Sequence, residues 1–573
     1  MKLKNISLCI VTMLLLSACD DYLERLPVDA ISTSDYWKTA NDLKLYVNQF
    51  YPSFSDGSAW SGGIFWFDTG TDDLIHYNYS DRIAGFRTVP TSGGWSYSNI
   101  RSVNFFLENY QNVEADPSTY SQYLGEAYFF RAYFYFSLVR TYGDVPWIDQ
   151  TLQVDSEELY APRTARNTVV EYIIADLDEA INLMGSGPNE NGNRLNKEIA
   201  ILFKSRVALF EGTWEKYHQG TEFGVSGSDG TAFLQIAADA AEELIDAGVY
   251  SVFTTGDPDV DYWHLFNVPF HYEGNPEVML WKKYDAGLDR THNHQRYLPR
   301  IGGGRGITQN LINDYLCTDG NPIAGNPLYQ GDATLEDVIA NRDPRIFQTI
   351  FTPGWPMEIV GSDTLIKYER SHLYATGESK CPTAYQICKG ALPDPDQYYT
   401  GWVGVNPSII FRYGEALLNF AEAKAELGTL SQADIDKSIK LLRERVGMPN
   451  LILGSIQNDP NWLFPSLSPE INEIRRERHI ELAVEGYRWD DLARWRAHHI
   501  FMGLRPKGAI FEPALYPELT LGTDVFVDEN GYIDPYQNSL PTGYQFDPGR
   551  DYLAPIHTEQ LTLNSNLDQN PGW

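Results

Sequence analysis

Apolar residues recur at helical spacing along much of this chain. Over residues 121–141, Leu124, Ala127, Tyr128, Arg131, Tyr135 and Leu138 share one stripe, and Phe129, Phe130, Tyr133, Phe134 and Phe136 cover the other faces. A helix that is apolar all round is enclosed by its neighbours. Gly143 and Pro146 mark its end. Val170, Ile173, Ile174, Leu177 and Ile181 predict a second helix after Thr164, closed by the run from Gly185 to Pro188. The pattern returns over 197–216 and over 232–247, where Gly248 stops it. It returns again over 412–427 and 434–446, around a turn at Gly428. A last long helix is predicted from about Ser468 to His499.

Helix starts near 167, 198 and 232 are spaced by ~31–34 residues, the range of a helical-hairpin repeat. The other helices do not keep that spacing. The pattern therefore predicts a mainly all-α scaffold of helical hairpins with irregular insertions. Residues 54–97 and 270–410 are the long insertions, and the tail 510–573 is irregular too. Long loops in a compact domain are functional or disordered, and the aromatics in these argue against disorder. No low-complexity linker divides the chain.

The N-terminus sets the compartment. Lys2 and Lys4 precede an apolar run from Ile6 to Leu16, followed by small residues and Cys19. The run is too short to span a bilayer and reads as a signal peptide over 1–18. Leu16-Ser17-Ala18-Cys19 resembles a bacterial lipobox, in which the peptide is cut before the cysteine and the cysteine is acylated. The mature chain is then 19–573, anchored through lipid on Cys19. Asp20 and Asp21 resemble an acidic surface-export signal, so the expected place is the outer membrane, facing the exterior.

Composition narrows the function. The 573 residues carry a formal charge of −33, which becomes more negative once Lys2 and Lys4 are removed. A phosphate backbone is bound by releasing counterions with Lys and Arg, so nucleic acid is excluded as a partner. Polybasic attachment to anionic lipid is excluded likewise. Cys381 and Cys388 either close a short disulfide or stay as two free thiols; Cys317 is left over and expected to be buried. Their spacing is not a zinc signature.

Three glutamates invite a catalytic reading. Glu477, Glu481 and Glu485 share a helix face, as a glycosidase pair would. Arg478 and Arg488 lie within helical reach, so scaffold ion pairs are the better reading. His292 with His294, and His498 with His499, lack a carboxylate at metal-binding spacing. The run Gly302-Gly303-Gly304-Arg305-Gly306 fits neither phosphate-loop pattern, and no Gly-x-Ser-x-Gly elbow occurs. The chain is therefore not expected to be an enzyme, and no cofactor or catalytic metal is expected; a structural calcium ion stays open.

What remains is aromatic and polar. A sugar ring offers an apolar face of C–H groups and a rim of hydroxyls, so its site wants a Trp or Tyr platform bordered by Asp, Asn and Arg. Trp66, Asp72, Asp73, Tyr79, Arg82 and Trp95 supply that mixture in the first insertion, and Trp281, Tyr284, Arg290 and Tyr297 in the second. Trp95 stands at the start of a predicted helix and Trp281 in an apolar, strand-like run, so packing competes with ligand contact at both.

The stretch from Arg475 to Trp495, Arg-Arg-Glu-Arg-His-Ile-Glu-Leu-Ala-Val-Glu-Gly-Tyr-Arg-Trp-Asp-Asp-Leu-Ala-Arg-Trp, resembles the signature of the SusD/RagB family. Further matches follow in order. They are Gly125-Glu126-Ala127 with Arg131-Ala132-Tyr133, the exit Tyr142 to Pro146, Asn341 to Arg345, Arg412 to Ala423, Leu553 to Ile556 and Gln569 to Trp573. His557 and Trp573 depart from the family pattern in that tail. The resemblance spans 19–573 and implies one domain of tetratricopeptide-like hairpins whose loops form the ligand face. It implies a surface lipoprotein that captures oligosaccharide or polysaccharide and delivers it to a SusC-like TonB-dependent transporter. The rival is a lipoprotein that seals such a transporter for a non-glycan nutrient such as peptide.

Overall fold

Asn196 opens the helix Lys197–Tyr217 by accepting the Ile199 amide on its side-chain oxygen at 3.0 Å. Gly248, at φ +62°, closes the helix Thr231–Ala247 in the left-handed conformation that glycine adopts without penalty. Between such signals the predicted periodicity becomes helix: Ser121–Tyr142, Arg166–Leu183, Lys197–Tyr217, Thr231–Ala247 and Tyr413–Glu426. The computed structural model describes residues 36–55, 63, 66–298 and 300–573. The signal peptide, Cys19, Asp20 and Asp21 lie outside those residues.

Successive helices pack on one another. Ser121–Tyr142 lies against Arg166–Leu183, which lies against Lys197–Tyr217, then Thr231–Ala247, Tyr413–Glu426 and Pro469–Glu481. The aromatic residues of Ser121–Tyr142 interlock at the centre: Phe129 meets Phe203 with ring centroids 5.2 Å apart, and Phe136 meets Phe210 at 5.5 Å. The scaffold is helical, as the periodicity predicted.

Two helix predictions need correction. The long helix expected from Ser468 to His499 is two, Pro469–Glu481 and Arg488–Arg494. Between them the chain turns, with Val484 at φ +58° and Gly486 at φ +91°. The helix expected over 434–446 divides at Ser438 into Gln432–Lys437 and Ile439–Arg445.

Among the described residues the strands form three antiparallel pairs. β1 (Leu74–His76) pairs with β3 (Arg305–Ile307), β2 (Val278–Lys282) with β6 (Ser408–Arg412), and β4 (Pro356–Val360) with β5 (Asp363–Lys367). The first pair joins the two insertions to each other, and the second holds β2 against the strand that runs directly into the helix Tyr413–Glu426. The glycine run leads into β3; it is a turn and strand edge whose Arg305 is buried.

Candidate functional site

β2 is the apolar run of the second insertion, and its first four residues are buried. Trp281 is 4% exposed and donates its indole N–H to the Asn191 carbonyl at 2.9 Å. Asn193 donates to the Trp281 carbonyl at 2.8 Å. A bonded, buried indole costs no orphaned donor and stands rigidly. Past β2 the chain makes a tight loop. Asp285 caps the turn Ala286–Leu288 and exchanges backbone bonds with Arg290 at 2.7 and 3.0 Å. That loop sets Tyr284 edge-on to His292, with ring centroids 4.5 Å apart. His292 is buried and its Nε2 lies 2.9 Å from the Asn406 carbonyl oxygen.

Together these elements wall a cleft of about 760 Å³, lined by Asn48, Tyr51, Phe54, Trp281, Tyr284 and Arg290 among others. Tyr51 is tied down: its hydroxyl donates to Glu126 at 2.9 Å and accepts the Leu195 amide. Burial and the Glu126 charge push that phenol well above its usual range. The cleft thus offers ring surfaces, amide groups and one exposed guanidinium.

Three of the ten aromatic and polar candidates, Trp281, Tyr284 and Arg290, line this cleft. Trp95 lines another, of about 340 Å³, with Arg101, Glu158 and Gln560; its ring is mostly buried against Tyr142 at 5.0 Å. Tyr79 packs on Phe86 and Tyr536, and the Arg82 guanidinium stacks 4.5 Å over Trp489. Trp66 lies under the Arg305 guanidinium at 3.3 Å, and Tyr297 packs against the neighbouring core.

Asp72 and Asp73 are placed differently from expectation. Both are buried. Asp72 takes two bonds from Arg488, and Asp73 accepts from His479 at 2.7 Å. A ligand does not meet carboxylates so enclosed. Asp68 joins them, accepting the amides of Gly486 and Arg488 at 3.0 Å each. Burial outweighs those bonds and lifts its carboxyl to about 7.

The glutamate trio is scaffold, with partners other than those its own helix suggests. Glu477 binds Arg345 and Arg443; Glu481 binds Arg345, Arg412 and Arg445; Glu485 binds Lys389 and Arg412. Arg478 instead pairs with Asp491, and Arg488 with Asp72. Cys317, Cys381 and Cys388 are buried free thiols, so no disulfide joins the latter two. Among the described residues no group of three His, Cys, Asp or Glu is placed to hold a metal ion.

Residues 277–573 match the SusD family. The chain belongs to the SusD family. Residues 64–209 match a further SusD-like family described as starch-binding and associating with the outer membrane. The chain is 25% identical to SusD-like protein P2 of Formosa agariphila, with 98% of each chain covered. Its fold resembles a SusD-like carbohydrate binding protein from Bacteroides fragilis, with a TM-score of 0.71, 19% identity and coverage of 93% of this chain and 100% of that one. It also resembles a laminarin binding SusD-like protein, with a TM-score of 0.58, 17% identity and coverage of 94% and 100%.

One exposed aromatic of this SusD-family chain escaped the sequence reading. Trp402 is 52% exposed, sits at φ +60° and accepts the Thr291 hydroxyl on its carbonyl at 2.8 Å. Thr291 lines the cleft, so Trp402 borders the same loop. A bulky residue in the left-handed region is uncommon and held by its surroundings. The only sequence signal is its place among the scattered aromatics of the second insertion.

Proposed function

We propose that this protein is a non-enzymatic glycan-binding lipoprotein of the outer membrane. It captures oligosaccharide or polysaccharide at the Tyr284 cleft and hands it to a SusC-like TonB-dependent transporter. Family membership supports this reading, and one observation carries it: Trp281, Tyr284 and Arg290 converge on a cleft of about 760 Å³. A ring stacks on Tyr284 and the wall behind it, while Arg290, Asn48 and Asn193 reach the hydroxyl rim. Release into a pore requires weak, reversible capture. No described helix is long and apolar enough to cross a membrane, and attachment is assigned to lipid on Cys19.

Calorimetry against a glycan panel tests the site, with Tyr284→Ala expected to weaken binding about tenfold. Equal affinity in wild type and Tyr284→Ala would remove the cleft from the reading. Mild detergent extraction of native membranes is expected to bring down a barrel protein with this chain; its repeated absence would count against the transporter role.

A further inference from the structure

We propose that Trp402 is a stacking platform for a sugar unit lying outside the Tyr284 cleft, so that the site selects glycan chains long enough to occupy both; the inference rests on the glycan reading above. Trp402 is 52% exposed. Its ring stacks on no described aromatic or cation, and its indole N–H bonds no described residue. Every other described tryptophan is buried, stacked on a ring or guanidinium, or bonded through its indole N–H. A large apolar ring left in water by itself marks a surface that binds something.

The backbone beneath the ring is costly too. At φ +60° a bulky side chain is crowded, and such strain persists only where neighbours enforce it. Here they do. The Trp402 carbonyl accepts the Thr291 hydroxyl at 2.8 Å. Gly404 and His292 exchange backbone bonds at 2.9 Å each. The buried Gln397 accepts the Val405 and Asn406 amides on its side-chain oxygen, both at 3.0 Å. Gly404 lies so close that a Cβ there would fall 2.8 Å from the His292 ring. These bonds hold the tryptophan still on a pinned loop. A sugar C–H face needs such a ring, already ordered and open to water, because little freedom is then lost on binding. Thr291 fixes its place relative to the cleft. Thr291 lines the cleft and Trp402 does not, so the ring stands just past the rim. A chain that fills the cleft reaches Trp402 by continuing over Thr291.

The test is calorimetry on the detergent-solubilised mature protein with size ladders, monosaccharide to octasaccharide, of malto-, laminari- and xylo-oligosaccharides, and with the ladder of any further glycan that the panel above finds to bind. Affinity is expected to rise about tenfold once the chain is long enough to reach Trp402. Trp402→Gly, which suits φ +60°, should melt no lower than wild type, keep its affinity for the short members and lose that rise. Trp402→Phe, which keeps a ring, should retain most of it. An affinity flat across chain length, or a rise that survives in Trp402→Gly, overturns the inference and leaves the glycan reading standing. Equal weakening of short and long members in Trp402→Gly overturns it too, because the ring would then belong to the cleft itself. If no ladder and no member of the panel binds, the glycan reading fails and this inference falls with it.

Discussion

Arg488 grips Asp72 with both arms of its guanidinium, Nε to Oδ1 at 2.8 Å and Nη2 to Oδ2 at 2.6 Å, across 416 residues of sequence. Both side chains are buried. This pair fastens the first insertion to the first turn of the short helix Arg488–Arg494. Removing one partner of a buried pair leaves an uncompensated charge, which costs ~3–5 kcal/mol. Arg488→Met is therefore expected to lower the unfolding free energy by that order in urea titration. Asp72→Asn on its own should lower it too, and the double change Arg488→Met, Asp72→Leu should recover most of the loss. Full stability in Arg488→Met would show the pair to be energetically idle.

His479 bridges two carboxylates, with Nε2 2.7 Å from both Asp73 oxygens and Nδ1 2.5 Å from Asp314. With an acceptor on each nitrogen, the ring must carry both protons. Burial and the Arg488 charge oppose that proton, but the Asp73 charge and the bonds to Asp314 and Asp73 outweigh them and lift the imidazole to about 9. A group raised on folding contributes stability in full below its unfolded value, ~6.5. That contribution is lost as the pH climbs through about 9. Urea midpoints measured from pH 6 to pH 10 are expected to fall with rising pH. His479→Gln should flatten that slope; an unchanged slope would assign it to other groups.

The helices were legible because a 3.6-residue pattern is local, and Lys197–Tyr217 follows it closely. The break after Glu481 was not. Glutamates at i, i+4 and i+8 continue the helical face through Val484, and the tertiary contacts that turn the backbone there lie far away in sequence. The same limit explains the acidic residues of the first insertion. Asp72 and Asp73 in a loop look like ligand groups until Arg488 and His479 arrive from the other end of the chain. Trp281 was legible both ways: it belongs to a buried strand and also borders the cleft. Arg290 and Tyr284 come together because a seven-residue loop is short enough for composition to imply proximity.

Gly230 permits the close approach of two helices. It sits at φ +79°, and a Cβ built there falls 1.9 Å from the Gly212 carbonyl oxygen within Lys197–Tyr217. Alanine faces the steric penalty of the left-handed region, ~1–2 kcal/mol, in addition to a backbone clash. Gly230→Ala is expected to lower the melting temperature by several degrees or more. Gly248→Ala, at φ +62° with open space around it, should cost only the conformational part. Equal losses in the two variants would mean that the helix contact relaxes freely.

Cys381 and Cys388 are fully buried thiols, and burial pushes the Cys381 thiol up to about 11. A thiol so protonated and enclosed is a poor nucleophile. In protein lacking residues 1–19, the cysteines left are Cys317, Cys381 and Cys388. A thiol reagent is expected to find none of them in the native protein and all three after denaturation without reductant. Recovery of one thiol only would reveal a disulfide.

Glu481 stands where three guanidiniums converge, accepting from Arg445 at 2.5 Å, Arg412 at 2.9 Å and Arg345 at 3.0 Å. Burial favours its neutral form, but Arg445, Arg412 and Arg345 hold its carboxyl well below the usual range. A carboxylate locked in that way has no proton to give a leaving group and no room for a sugar, which argues against the glycosidase reading. Its stabilisation is complete above the unfolded value of ~4.3 and is lost as the pH falls toward the depressed one. Glu481→Gln is expected to cost ~3–5 kcal/mol at neutral pH, because three buried cations lose a counter-charge. Glycan affinity should be unchanged in the folded variant. Arg412, at the end of the strand paired with β2, keeps its two bonds to Glu485 at 2.7 Å and one to Glu277 at 3.0 Å, so the wall that carries Trp281 stays in place. Calorimetry below the variant's melting temperature checks this. Product release by wild type that vanishes in Glu481→Gln would instead restore the carboxylate to a catalytic role.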